Sequence, residues 1–151
     1  MLKLGPRCLV ERMVDGAIME LIVGVTRDEQ FGPHLVVGGG GIFVELLKDS
    51  TPLLLPVSRE QVRGALESLR CAPLFHGYRG NPRCDLDAAV DVVMSVAAYV
   101  EDNLATVAEL DINPLMLLAE GQGVVAADAL ISLYARDDNV SDSEVPGENN
   151  E

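Results

Sequence analysis

The stretch Glu109-Leu-Asp-Ile-Asn-Pro-Leu115 constrains the fold most: it is a short strand-like run that a proline brings to an end. Fifteen residues past Asn113 stands Asp128, the one acid in a second apolar run, Val124-Val-Ala-Ala-Asp-Ala-Leu-Ile131. Two adjacent strands would gather Asp111, Asn113 and Asp128 at one end of a buried sheet. Such a cluster offers only oxygen ligands. That donor set suits a hard cation such as Mg²⁺, which is commonly held by one or two carboxylates plus the phosphates of a bound nucleotide. The same residues also read as a strand end leading into a turn before Pro114. Spacing alone leaves both readings open.

The 151 residues fit one domain with room for a real core. The formal net charge is -13, and six of the negative charges fall in the last fifteen residues, Asp137 to Glu151, which hold no Lys or Arg. This excess of acid disfavours nucleic acid or an anionic membrane surface as partner, because their phosphates would be repelled. A free nucleotide is not excluded, since Mg²⁺ and local N–H groups can hold it. Cys8, Cys71 and Cys84 are odd in number and lack CxxC spacing, which fits a reducing cytosol better than a disulfide framework. No apolar run reaches the roughly 20 residues needed to span a bilayer, and no signal-peptide pattern opens the chain. The expected location is cytoplasmic.

In chain order, residues 1–8 read as a lead-in. Cys8 to Val14 and Ala17 to Thr26 are expected strands joined by a tight Asp15-Gly16 turn into a hairpin. Each carries an acid, Glu11 and Glu20, which needs a partner or a solvent-facing position. His34 to Gly38 is the next strand, followed by Gly39, Gly40 and Gly41. Four glycines in a row can bring N–H groups close to an anion or simply make a flexible or tight connection. The run matches neither GxxxxGK[ST] nor GxGxxG. Ile42 to Leu47, containing Glu45, and Leu53 to Val57 complete the expected strands of this half. Ser58 and Gln61 form a capping box, and Val62, Ala65, Leu66 and Leu69 recur at helical spacing up to about Cys71. After a glycine- and arginine-bearing loop, Phe75 to Arg83, either Asp85 or Asp87 caps a longer helix. Its apolar stripe runs through Leu86, Ala89, Val90, Val93, Ala97, Val100 and Leu104. Residues 135–151 form an acidic tail with too little apolar surface to offset ordering entropy, so disorder is expected there. The fold class is α+β, a mainly antiparallel sheet packed with two helices over residues 9–134.

Several pieces in fixed order carry a family resemblance: Val10-Glu-Arg-Met-Val, Met19-Glu-Leu-Ile-Val-Gly-Val, Phe31-Gly-Pro, Gly38 to Lys48, Gly77-Tyr-Arg-Gly, Glu109 to Leu115, and Asp128-Ala. Together they resemble the C-terminal half of the ATP-grasp domain of ADP-forming acyl-CoA synthetases, the acetate–CoA ligases related to the succinyl-CoA synthetase β subunit. The resemblance implies a nucleotide, ATP or ADP, with Mg²⁺. Glu11 to Val14, including Met13, would correspond to the hinge strand whose backbone reads the adenine. Glu20 would match a carboxylate near the nucleotide sugar or hinge. Asn113 and Asp128 would match the residues that hold Mg²⁺ against the phosphates, with Asp111 standing where related enzymes have Glu. In the family a phosphohistidine carries the phosphoryl group while acyl-CoA, ADP and phosphate interconvert with acid, CoA and ATP. Neither His34 nor His76 lies in a motif matching that histidine.

An ATP-grasp site closes between two subdomains, and only eight residues precede Leu9 here. The chain is therefore expected to be a fragment, split subunit or degenerate copy with little synthetase activity alone. Its expected partner is an N-terminal ATP-grasp half, a CoA-ligase subunit or a second copy of itself. Three function classes follow: a nucleotide-binding part of an acyl-CoA synthetase, a regulatory domain of the kind fused to protein lysine acetyltransferases, and a noncatalytic interaction module whose uncovered face finds a partner.

Overall fold

The computed structural model describes residues 10–28, 30–41 and 48–134. The expected lead-in, the expected strand from Ile42 to Leu47 and the acidic tail lie outside the described residues. Strands β1 (Met19–Asp28), β2 (Gly32–Gly39), β3 (Ser50–Leu54), β4 (Val107–Leu117), β5 (Val124–Ala126) and β6 (Ala129–Leu133) form one sheet. Its order is β3-β2-β1-β4-β5, with β6 also pairing β4, and every pairing is antiparallel. Helices α1 (Arg59–Glu67) and α2 (Leu86–Asp102), with a short 3-10 turn at Ala72–Leu74, supply the helical layer.

Local chemistry explains the helices. Ser58 accepts from the Gln61 amide at 3.2 Å while the Gln61 side chain accepts from the Ser58 amide at 2.8 Å, so the capping box is complete. Asp85, rather than Asp87, caps α2 by accepting from the Ala88 amide at 3.2 Å. The expected stripe is buried from Leu86 to Val100, whereas Leu104 lies beyond the helix end and is 44% exposed. α1 stops at Glu67, short of the expected Cys71, and the chain tightens into the 3-10 turn that Pro73 permits.

Strand alternation divides the sheet into two faces. Leu21, Val23, Leu35, Val37, Leu115 and Leu117 are fully buried, as are Val62, Leu66, Ala89, Val90 and Val93 of the helices. Glu20, Ile22 and Gly24 alternate onto the opposite, open face. Two strand expectations are corrected. Residues 10–18 contain no strand, and the expected hairpin about Asp15-Gly16 does not form. β1 is already flanked by β2 and β4 and leaves the preceding segment no edge to pair with. β3 begins at Ser50 instead of Leu53 because Ser50 to Leu54 matches Gly38 to His34 in register, and Pro52 is accommodated on this outer strand.

Candidate functional site

Pro114 organises the centre of β4. It has no N–H to donate, so the ladder on that edge breaks there, and the expected single strand from Val124 to Ile131 becomes β5 and β6 with Asp128 between them. β5 pairs with Leu115 to Leu117, and β6 with Val107 to Ile112. Across the break, the Asn113 amide donates to the Asp128 carbonyl at 3.2 Å, and the Ala127 amide to the Pro114 carbonyl at 3.0 Å. On the other edge, Leu21 pairs with Leu115 but Val23 with Ile112, so Asn113 and Pro114 together oppose one residue of β1. This bulge keeps Ile112 and Leu115 both in the core. Asp111 and Asn113, two residues apart, share the open face, and Asp128 stands directly across from Asn113.

The structure sets the backbone of Asp128 beside Asn113, with Asp111 two residues earlier on the same strand, but in a different setting from the expected one. They lie at the middle of β4 rather than at a strand end, and on an open face rather than in a buried sheet. Asn113 and Asp128 are exposed and Asp111 is half-buried. The reason is one-sided packing, with the helices on the core face. Asp111 also lies over Gly24, its register partner on β1, where an added Cβ would sit 3.6 Å from Asp111 Oδ1. No group of three or more His, Cys, Asp or Glu side chains that could hold a metal occurs among the described residues. Two carboxylates and one amide oxygen fit a cation that keeps water and phosphate oxygens in its shell, as Mg²⁺ does, and would be too few for a cage built wholly from protein.

The nucleotide-side candidates are distributed differently. Glu20 pairs with Met116, and Gly24 with Asp111, so Glu20 lies four residues along β1 from the oxygen cluster, roughly 13 Å. Beside Glu20 is a cavity of about 340 Å³, lined by Ala17 to Glu20, Gly39 to Gly41, Cys71 and Leu74. Glu11 and Met13 are exposed in the non-strand segment before β1, and Val14 is half-buried. Arg79, at φ 51°, has its guanidinium 5.3 Å from the Tyr78 ring centre. Sequence reasoning missed the bulge, Gly24 beneath Asp111, and the buried Asp49. The proline after Asn113 is the one local signal for the first; the other two depend on which strand becomes the neighbour.

Against known proteins, a family model described as an ATP-grasp domain matches residues 5–133. The chain belongs to the ATP-grasp family. Its curated relatives include the ADP-forming acetate–CoA ligase II subunit beta of Pyrococcus furiosus, 39% identical over 114 residues, an alignment covering 76% of this chain and 48% of that one. The ADP-forming acetate–CoA ligase I of Archaeoglobus fulgidus is 38% identical over 117 residues, covering 78% of this chain and 17% of that one. Among solved structures, an acetyl-coenzyme A synthetase of Ca. Korarchaeum cryptofilum, in complex with coenzyme A and Mg-AMPPCP, superposes with a TM-score of 0.73. It is 32% identical, and the match covers 81% of this ATP-grasp chain and 55% of that one. The chain thus spans about half the length of the Pyrococcus subunit and a smaller share of the Archaeoglobus ligase. No helix among the described residues is long and apolar enough to cross a membrane.

Proposed function

We propose that this chain is the nucleotide- and Mg²⁺-binding part of an ADP-forming acyl-CoA synthetase, which interconverts acyl-CoA, ADP and phosphate with acid, CoA and ATP. The observation that carries the reading is the broken ladder and bulge at Asn113-Pro114, which set Asp111, Asn113 and Asp128 on one open face. Those three residues would hold Mg²⁺. When bound, the ion supplies neutralisation of charge on the phosphoryl oxygens. The chain's own part is to orient: β4 fixes Asp111 and Asn113, and the Asn113–Asp128 hydrogen bond fixes the third oxygen ligand across from them. Glu20 would accept from the nucleotide sugar, and the backbone of Glu11 to Val14, Met13 included, would receive the adenine once a facing subdomain orders it.

Support for this reading comes from relatives that are ADP-forming acetate–CoA ligases and from a structural neighbour holding Mg-AMPPCP. The proposed partners are the nucleotide and the remainder of such a ligase, an N-terminal ATP-grasp half or a CoA-ligase subunit. Isothermal titration with Mg·ADP and Mg·ATP tests the site directly, beside an Asn113→Ala/Asp128→Ala variant shown to be folded by circular dichroism. We expect a dissociation constant on the order of micromolar for the wild type and no measurable heat for the variant. Equal binding by both proteins would remove these residues from the site. No binding by the wild type, alone or with an added N-terminal half, would favour a regulatory or interaction module instead.

A further inference from the structure

Of the four glycines from Gly38 to Gly41, the first two pack against Asp49, Cys71 and their strand neighbours, and the last two approach Glu20. Gly38 and Gly39 belong to β2, and the Gly39 amide donates to the Asp49 carbonyl at 2.9 Å. The Gly40 amide donates to the Glu20 carbonyl at 2.7 Å. A Cβ on Gly40 would lie 2.8 Å from the Glu20 carbonyl carbon and 2.9 Å from its Cβ, closer than folded chains allow. Gly41 has φ 64°, and a Cβ there would lie 2.9 Å from Glu20 Oε2. Side chains added at two successive glycines would thus collide with successive parts of one residue, its backbone and its carboxylate. The contact borders the 340 Å³ cavity, which is lined by Met19, Cys71 and Leu74 as well as by Glu20 and the glycines. A carboxylate at the wall of a largely apolar hollow suits a ligand with an apolar ring and adjacent hydroxyl donors.

We propose that Gly40 and Gly41 are positioning residues that hold the Glu20 carboxylate at this cavity, where it accepts hydrogen bonds from the sugar hydroxyls of the bound nucleotide. The proposal rests on the nucleotide reading above and adds how the carboxylate is set. The two glycines act differently. A side chain at position 40 meets backbone and must part the ends of β1 and β2. One at position 41 meets only the far end of a flexible side chain, so it turns the carboxylate away while the fold survives.

The test is a double-mutant cycle between Gly41→Ala and Glu20→Gln, read as the ratio of affinities for Mg·ADP and its Mg-bound dideoxy analogue. Wild type should prefer ADP by about tenfold or more, the value of hydrogen bonds to a charged acceptor. Each single variant should lose most of that preference, and the double variant should lose no more than Glu20→Gln alone. Gly41→Asn, which tolerates a positive φ but still carries a Cβ, should behave as Gly41→Ala does, separating the contact from backbone strain. A preference unchanged in Gly41→Ala, or additive losses in the double variant, would overturn the proposal. Side-chain three-bond couplings of Glu20, measured by NMR without nucleotide, give an independent decision. They should change in Gly41→Ala, and unchanged couplings overturn the positioning role whatever binds. If wild type binds neither nucleotide, the functional reading fails while the couplings still decide whether the glycines set the carboxylate.

Discussion

Asp49 is the only buried charged or polar residue among the described residues. Its Oδ1 accepts from the Arg70 amide at 2.8 Å and its Oδ2 from the Cys71 amide at 2.9 Å. Burial works to raise its pKa, but the Arg70 and Cys71 amides, the Cys71 thiol and the Arg70 charge together outweigh it and hold the carboxyl below its ordinary value of 3.8. A carboxyl depressed on folding contributes stability that is fully present above the unfolded pKa and is lost as pH falls through the folded one. Asp49→Asn puts an NH₂ where one amide needs an acceptor. It should therefore cost about 1 to 3 kcal/mol near neutral pH. Urea midpoints taken from pH 7 down to pH 2 should show the wild type losing part of its advantage over the variant below about pH 4. A constant gap across that range would mean that the carboxylate's charge is not what matters. The same residue bears on Cys71, whose thiol is pushed up to about 12, first by burial and then by the neighbouring Asp49 carboxylate. Burial likewise raises Cys84 to about 11. In a Cys8→Ser background the native protein should resist iodoacetamide at pH 8, and free-thiol mass spectrometry should find both cysteines unmodified. Rapid alkylation of either would place it in a far more open setting than the structure gives it.

At the scale of elements, Asp85 joins a helix to a turn. One carboxylate oxygen caps α2, the other accepts from the Gly123 amide at 2.8 Å, and its own amide donates to the Leu118 carbonyl at 3.0 Å. Asp85→Ala should therefore cost more than an ordinary cap, about 2 to 3 kcal/mol, because two amides lose their acceptor. Asp87 is the natural control. It lies in the same first turn, is exposed, and pairs with Arg63 and more loosely with Arg59, so its removal should cost under about 1 kcal/mol. Comparable losses in chemical denaturation would show that the tie to Gly123 contributes nothing. The contrast also explains which elements were legible in the sequence. Both helices carry their start signals and apolar stripes within a few turns, so Ser58 and the Val62–Leu66 face predict α1 without further context. The segment from Val10 to Val14 has a strand-like composition, yet pairing depends on a free edge, and β1 has none. For the same reason β3 is displaced toward Ser50 by the register of β2, which no local pattern in Leu53 to Val57 reports.

For the molecule as a whole, the asymmetry of the sheet matters most. Helices pack on one face, and Glu20, Ile22, Gly24, Asp111, Asn113 and Asp128 remain on or beside the other. The oxygen cluster was legible because Asp111 and Asn113 share a two-residue period and Asp128 lies in the next apolar run. Its mid-sheet setting was not, because the bulge exists only relative to β1. On the proposed reading, this face would carry ligands for one cation and a carboxylate roughly 13 Å away, and a nucleotide lying along it would remain exposed on its other side. The Pyrococcus subunit has about twice the length aligned here. On the proposed reading, nucleotide and facing half should stabilise each other, since each binds better to a chain the other has already ordered. Thermal melts should therefore rise with Mg·ADP alone by what its own affinity supplies, and with a separately expressed N-terminal ATP-grasp half alone by what the half supplies. With both present the rise should exceed the sum of the two. The Asn113→Ala/Asp128→Ala variant should lose that excess and keep whatever the half contributes by itself. Simple additivity in the wild type would show that the two ligands do not share this face, and it would leave the sheet as a docking surface without a nucleotide in it.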